Sequence, residues 1–293
     1  HVREALRAGR PVVALETTIV THGMPPPVNL DTARAVEAVV RDGGAVPATI
    51  GVIGGRIVVG LSDEELQLLA NAADVLKLNR ADLSYAIAAR RDGSTTVAAT
   101  IFCAHRAGIP IFATGGIGGV HRGVETSFDV SADIEELART PIAVVCAGAK
   151  AILDLPKTLE ALETRGVAVV GYGTNELPAF WSRSSGLPLH LRLDTPAEVA
   201  ALLRAHRELD VQAGIVVANP IATSGEIPSN VIGRHVAAAT VAATERGITG
   251  KDLTPFLLDA MLAATEGRSL TANVALIRSN ARLAAEVAVA YAG

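Results

Sequence analysis

The chain has 293 residues, of which 49% are hydrophobic and 19% charged, with a mean hydropathy of +0.36 and a formal net charge of -4. That balance supplies apolar area for a large core and excludes the strongly basic surface of a nucleic-acid-binding domain. No charge-free apolar run of about 18 residues occurs and no basic segment leads into an apolar one at the start, so neither a membrane span nor a signal peptide is expected.

The apolar content is mostly Ala and Val, with 3% aromatics. Small side chains suit helices packed tightly on a sheet or a helical face buried between subunits, so an oligomer is expected. Cys103 and Cys146 are the only cysteines and lie in apolar stretches, outside any metal-ligand spacing. Both are read as reduced core residues, and the cytoplasm as the compartment.

In chain order, continuous β-branched or apolar runs mark strands at Val12–Leu15, Ala48–Ile53, Ile111–Ala113, Ile142–Cys146, Val167–Gly171 and Gly214–Ala218. Uninterrupted rather than alternating runs are how strands buried on both faces read. Helical patterns lie between them. Asp31–Arg41 puts Val36, Val39 and Val40 on one stripe, and Ser62–Ala73 opens with Ser62 and Glu65 spaced as a capping box. Pro196–Leu209 follows Thr195, a good N-cap, and Leu253–Ala292 is Ala-rich and helical with a break near Glu266–Ser269. Strand alternating with helix predicts a three-layer α/β/α sandwich with a largely parallel central sheet. No linker or repeat interrupts it, so residues 1–293 are read as a single domain. In such folds ligands lie beyond the carboxyl ends of the strands, which directs attention to the polar residues just after each run.

Lys150 follows the uncharged stretch Pro141–Ala149. Burial and proximity to a helix start would lower its pKa and leave a neutral amine for Schiff-base chemistry; otherwise it snorkels from a strand end or pairs with Asp154. Glu16 directly follows the first strand and reads as a general acid or base, or as a surface carboxylate. Lys77, between Leu76 and Leu78, is either a point charge for a phosphate or a solvated lysine. The glycine-rich turn Gly115–Gly119 would let a backbone approach an anion with its amides exposed, or is only a tight turn. His121, just beyond, is an acid–base group or a structural one. In Asp129–Asp133, either Ser131 caps a helix whose dipole Asp133 favours, or one or two of the carboxylates, with water, hold Mn²⁺ or Mg²⁺.

Together these segments resemble the pseudouridine-5′-phosphate glycosidase family, related to the A component named for indigoidine synthesis. The likeness rests on ALETTIVTHGMPPPVN (14–29), LKLNRADL (76–83), GSTTVAAT (93–100), FATGGIGGVHRG (112–123), FDVSADI (128–134) and VVCAGAKAILD (144–154). GYGTNELPAFW (171–181), VANPI (217–221) and SLTANVALIRSNA (269–281) continue it over nearly the whole chain. The resemblance implies a homotrimeric enzyme with a bound Mn²⁺ that reversibly cleaves pseudouridine 5′-phosphate to uracil and ribose 5-phosphate. By position it makes Lys150 the nucleophile, Glu16 the proton donor and Asp129 the metal ligand. Lys77, Val97, Ser131, Ala132 and Asp133 fall on substrate-binding positions, and Thr114, His121 and Asn273 on polar positions near the active site. Thr17 stands where Ser is commoner, and residues 222–225 are less acidic than the pattern; neither is expected to reach the chemistry. Two other readings share these residues: a Schiff-base aldolase-like lyase on another sugar phosphate, and a non-catalytic nucleotide-binding protein.

Overall fold

In the computed structural model, which describes residues 1–248 and 250–293, the uninterrupted apolar runs become the middle of one sheet. Its strands are β1 (Val12–Leu15), β2 (Val46–Ile53), β3 (Arg56–Val59), β4 (Leu76–Leu78), β5 (Gly93–Thr95), β6 (Ile111–Ala113), β7 (Ala143–Cys146), β8 (Ala168–Tyr172), β9 (Leu191–Leu193) and β10 (Ile215–Ala218). They are ordered β4-β5-β2-β1-β6-β7-β10-β8-β9, with β3 also beside β2. From β2 to β9 every neighbouring pair is parallel. Only β3 and β5 meet β2 in antiparallel fashion. Strands β1, β6, β7 and β10 are buried along their whole length, as their composition requires.

Helices cover both faces of this sheet. Helix Val97–Ala107 packs on β1, β2, β5 and β6, while the long helix Arg268–Ala292 packs on β1, β6 and β7 and on helices Val28–Asp42 and Pro196–Glu208. Alanines make the second contact close: a Cβ added at Gly43 would lie 2.6 Å from the Ala285 Cβ. Val36, Val39 and Val40 all turn inward from Val28–Asp42, and Ser62 caps helix Asp63–Asn71 through the full capping box. The C-terminal break is real and falls at Thr265–Gly267, where Glu266 and Gly267 both take left-handed backbone angles. Cys103 and Cys146 are free and buried, and burial pushes both thiols up to about 12, which leaves them protonated and inert.

Four strands lie outside the predicted runs. β3 is the return arm of a hairpin closed by Gly54 and Gly55, both at positive φ. β4 and β5 are three residues each, and β9 is a largely exposed edge. β5 is tied to the segment after β1 by threonines. The Thr17 hydroxyl donates to the Ile50 carbonyl (2.8 Å) and accepts from the Thr95 amide (2.9 Å), while the Thr18 hydroxyl donates to the Thr95 carbonyl (2.8 Å). Thr17 is therefore a fully buried joint and not a cavity residue, which brings the ends of β1 and β5 together.

Candidate active site

Because β1, β6 and β7 are parallel neighbours, the residues that follow them emerge at one edge of the sheet. Glu16 is the first residue after β1 and Thr114 the first after β6; the Thr114 hydroxyl donates to Glu16 Oε1. Lys150 comes four residues after β7. These three line a cavity of about 330 Å³, a size that fits a small ligand. Lys77, Val97, His121, Asp129, Ser131, Ala132, Asp133 and Asn273 line the same cavity, so the structure brings together every site residue expected from the sequence. Residues 222–225 stay outside it.

Lys150 sits in a turn strapped to the glycine-rich segment: its amide donates to the Ile117 carbonyl, and the Ile117 amide to the Gly148 carbonyl, each at 3.1 Å. The turn needs a glycine at 148, where φ is +81° and a Cβ would collide with the Pro178 carbonyl oxygen. Two expectations about Lys150 are corrected. The next helix begins only at Leu155, so Lys150 is not at a helix start, and Asp154 is not its partner but caps that helix and pairs with Lys157 at 2.6 Å.

The electrostatics follow from enclosure. Burial pushes the Glu16 carboxyl above its ordinary range, against the pull of the Lys150 ammonium and the Thr114 hydroxyl. Burial and then the like charge of Lys150 push the Lys77 ammonium below its ordinary range. Burial likewise lowers His121, against the attraction of Asp129. Asp133 serves the backbone, since its two oxygens accept the amides of Ala98 (2.9 Å) and Gly118 (2.7 Å). Ser131 accepts the Asp133 amide and N-caps helix Ala132–Leu137, so the capping reading of this segment holds. Asn273 Oδ1 accepts the indole N–H of the fully buried Trp181 at 2.7 Å.

Part of the glycine-rich turn is committed inside the protein: the Ile117 and Gly118 amides are given to the Gly148 carbonyl and to Asp133, and the Val120 amide just beyond to Thr158, while Gly115 and Gly116 line the cavity. The turn's glycines serve close packing: a Cβ at Gly116 would meet the Phe180 ring at 2.7 Å, and one at Gly118 would overlap the Ser131 hydroxyl. For a metal, the cavity offers the half-buried Asp129 carboxylate. Among the described residues no three His, Cys, Asp or Glu side chains converge, so this site suits only an ion held mainly by water.

Sequence reasoning missed several cavity residues, among them His22, Asn79 and Thr96. Thr96 was legible as an N-cap ahead of an apolar helix, a role it fills by accepting the Ala99 amide. Also missed was the buried pair Asn219 and Asn280. Asn280 donates to the Thr114 carbonyl at 2.8 Å and accepts from Asn219 at 2.9 Å. It thereby holds in place the residue that contacts Glu16.

The profile of the family described as "Indigoidine synthase A like protein" matches residues 1–290. The chain belongs to that family. Among its relatives, a protein of Methylobacterium nodulans named pseudouridine-5′-phosphate glycosidase is 64% identical over all of this chain and 87% of its own length. One of the same name from Solibacter usitatus is 62% identical over 98% of this chain and 96% of its own. The crystal structure of the prealnumycin C-glycosynthase AlnA in complex with ribulose 5-phosphate superposes with a TM-score of 0.92 at 38% identity, covering 99% of this chain and 95% of that one. An indigoidine synthase A-like protein from Thermotoga maritima gives 0.89 at 38% identity, covering 96% and 93%. The family's architecture, a mostly parallel sheet flanked by helices, is thus shared by this chain over almost its entire length.

Proposed function

We propose that this member of the indigoidine synthase A-like family makes and breaks the carbon–carbon glycosidic bond of pseudouridine 5′-phosphate, exchanging it with uracil and ribose 5-phosphate. The observation that carries this is the convergence of an amine, a carboxyl favoured in its protonated form and a second, enclosed ammonium in one cavity. Relatives bearing the name of this activity, and a C-glycosynthase of the same fold holding a pentulose phosphate, support it.

The bond poses a specific difficulty: the leaving group is uracil C5, a carbon, so protonating an exocyclic oxygen as in ordinary glycosides gives no help. Opening the sugar ring removes the difficulty. Glu16 is placed to give its proton to the ring oxygen while Lys150 Nζ bonds to C1′ and the C1′–O4′ bond breaks. Glu16, now a carboxylate, takes a proton from that nitrogen, and the freed lone pair forms an iminium with C1′ as the C1′–C5 bond breaks; the bonding pair remains on uracil C5, which takes the proton back from Glu16. Water adds to C1′, releasing ribose 5-phosphate and restoring the amine. The Thr114 hydroxyl orients Glu16 throughout, and Lys77 receives the 5′-phosphate as a compact charge.

Asp129 is the residue we assign to a divalent cation, Mn²⁺ in the family's pattern, which when bound supplies positive charge at the cavity. The homotrimer belongs to the same reading, and a scattering mass near the 30.1 kDa of one chain would refute it.

Uracil release from pseudouridine 5′-phosphate tests the activity directly. Borohydride with ribose 5-phosphate tests the covalent step: reduction of the iminium should add one sugar phosphate per chain, mapping to Lys150 and to no other lysine. Turnover without any trapped adduct, and near-normal turnover in Lys150→Ala, would leave the activity standing and remove the Schiff base. An absence of uracil release, with trapping of aldol substrates instead, would favour the aldolase-like alternative.

A further inference from the structure

His22 belongs to the long motif at residues 14–29 but has no part in the mechanism above. It lies half-buried at the end of the short helix Thr18–Thr21 and lines the cavity together with Lys77. Two observations fix its place. Lys77 on β4 and Ser94 on β5 are register partners on adjacent parallel strands, so their side chains leave the same face of the sheet. The fully buried Ser94 is in turn linked to His22: the Thr21 hydroxyl donates to Ser94 Oγ at 2.7 Å and lies 2.5 Å from His22 Nδ1.

That linkage distinguishes the two ring nitrogens. Nδ1 faces the Thr21 hydroxyl at 2.5 Å and the Ser94 hydroxyl at 3.4 Å, so it is engaged inside the protein. Nε2 is the ring nitrogen left for a ligand in the cavity. Burial, and secondarily the charge of Lys77, favour the neutral ring. The charged group facing His22 is Lys77 on β4; Ser94 on β5 and Thr21 on its own helix are uncharged. Lys77 itself faces Lys150, Asp133, Glu16 and Asp252. A dianion brought to Lys77 would reverse the balance at His22, since a proton added to the ring gives a second cationic donor at Nε2 with Nδ1 already anchored.

We propose, on the footing of the phosphate reading above, that His22 is a second ligand for the substrate's phosphate, shared with Lys77, and that it takes up a proton as the phosphate dianion binds. No bond is made or broken; the proton comes from solvent, and Nε2 donates its hydrogen in a hydrogen bond to a phosphate oxygen.

The test uses ribitol 5-phosphate, which carries the phosphate but no carbonyl for Lys150, with ribitol as reference. Calorimetric titration of the full chain near pH ~8, where the phosphate monoester is a dianion, in two buffers of different ionisation heat reads the protons taken up. The wild-type chain should take up a substantial fraction of one proton per site. His22→Asn should take up none and bind about 10- to 100-fold more weakly, the range for a hydrogen bond to a charged group. Thr21→Val, which keeps the ring but removes the hydroxyl facing Nδ1, should lose part of both and guards against a folding defect in His22→Asn. Binding without proton uptake, or uptake and affinity unchanged in both variants, would overturn the role of His22 and leave the phosphate reading intact. Ribitol 5-phosphate binding no better than ribitol would overturn both.

Discussion

Replacing Asn280 by Leu should destabilise the protein and slow it, although Asn280 touches no substrate in the mechanism above. The side chain is fully buried; its amide donates to the Thr114 carbonyl at 2.8 Å and more weakly to the Gly115 carbonyl at 3.3 Å, and its oxygen accepts from Asn219 at 2.9 Å. The Gly115 carbonyl keeps the Ala147 amide, and Asn219 keeps Ser279. The principal loss is therefore one buried carbonyl left without its donor, about 1–3 kcal/mol, with roughly 1 kcal/mol more at Asn219. A total of about 2–4 kcal/mol corresponds to a fall in Tm of roughly 3–7 °C for a chain of this size. Because the same carbonyl belongs to Thr114, whose hydroxyl orients Glu16, uracil release at a temperature well below the transition should fall as well. Thermal unfolding by circular dichroism and initial rates on the folded variant measure the two effects separately. A Tm within about 1 °C of wild type with unchanged turnover would show that the Thr114 carbonyl finds another donor, and the reasoning would fail.

Lys77→Ala should weaken phosphorylated substrate by about 2–5 kcal/mol, as expected for a lost buried charge pair, and narrow the preference over unphosphorylated pseudouridine; an unaltered preference would place the phosphate elsewhere. Glu16 has a folded-state pKa raised above its ordinary value of 4.5, so the stability it contributes is complete below that value and is lost as pH rises through the folded pKa. Glu16→Gln, which cannot ionise, should therefore lose turnover, while its Tm relative to wild type should rise as the pH is raised above 4.5; a Tm difference that does not change with pH would refute the burial argument. Chelation should lower activity and Mn²⁺ restore it, while Asp129→Ala should lose bound metal; unchanged metal content in that variant would remove Asp129 as the anchor.

The parts of this protein that were legible in its sequence are those where one local property decides the outcome. An uninterrupted apolar run such as Val144–Cys146 has one stable destination, a strand covered on both faces, and the polar residue beyond such a strand must then emerge at the carboxyl edge. That is why Glu16 and Lys150 stood out by position as candidates, while Thr114 was expected from the family likeness; all three share one cavity. Strands β4 and β5 were missed because three residues are too short a run to establish a period; β5 is fastened through Thr95 to Thr17, a contact across 78 positions, and β4 pairs in parallel with β5. β3 was readable, since the Gly54–Gly55 pair between two apolar runs is a hairpin signal. Least legible were the partners of polar groups. Lys150 beside Asp154 in sequence suggested an ion pair, but the chain turns so that Lys157 takes that carboxylate. Asp133 resembled a ligand or a cap and instead also fastens the Ala98 and Gly118 amides. Glu136 reads as one more surface acid on a short helix, yet it is fully buried, held by Arg80 and Arg139 and by the Thr140 hydroxyl. Arg80 lies just past β4, and Glu136 lies on the helix that Ser131 caps, so this ion pair ties the segment carrying Lys77 to the one carrying Asp133. Sequence spacing places a charged side chain on an element; only the packing of that element against another decides which charge it meets.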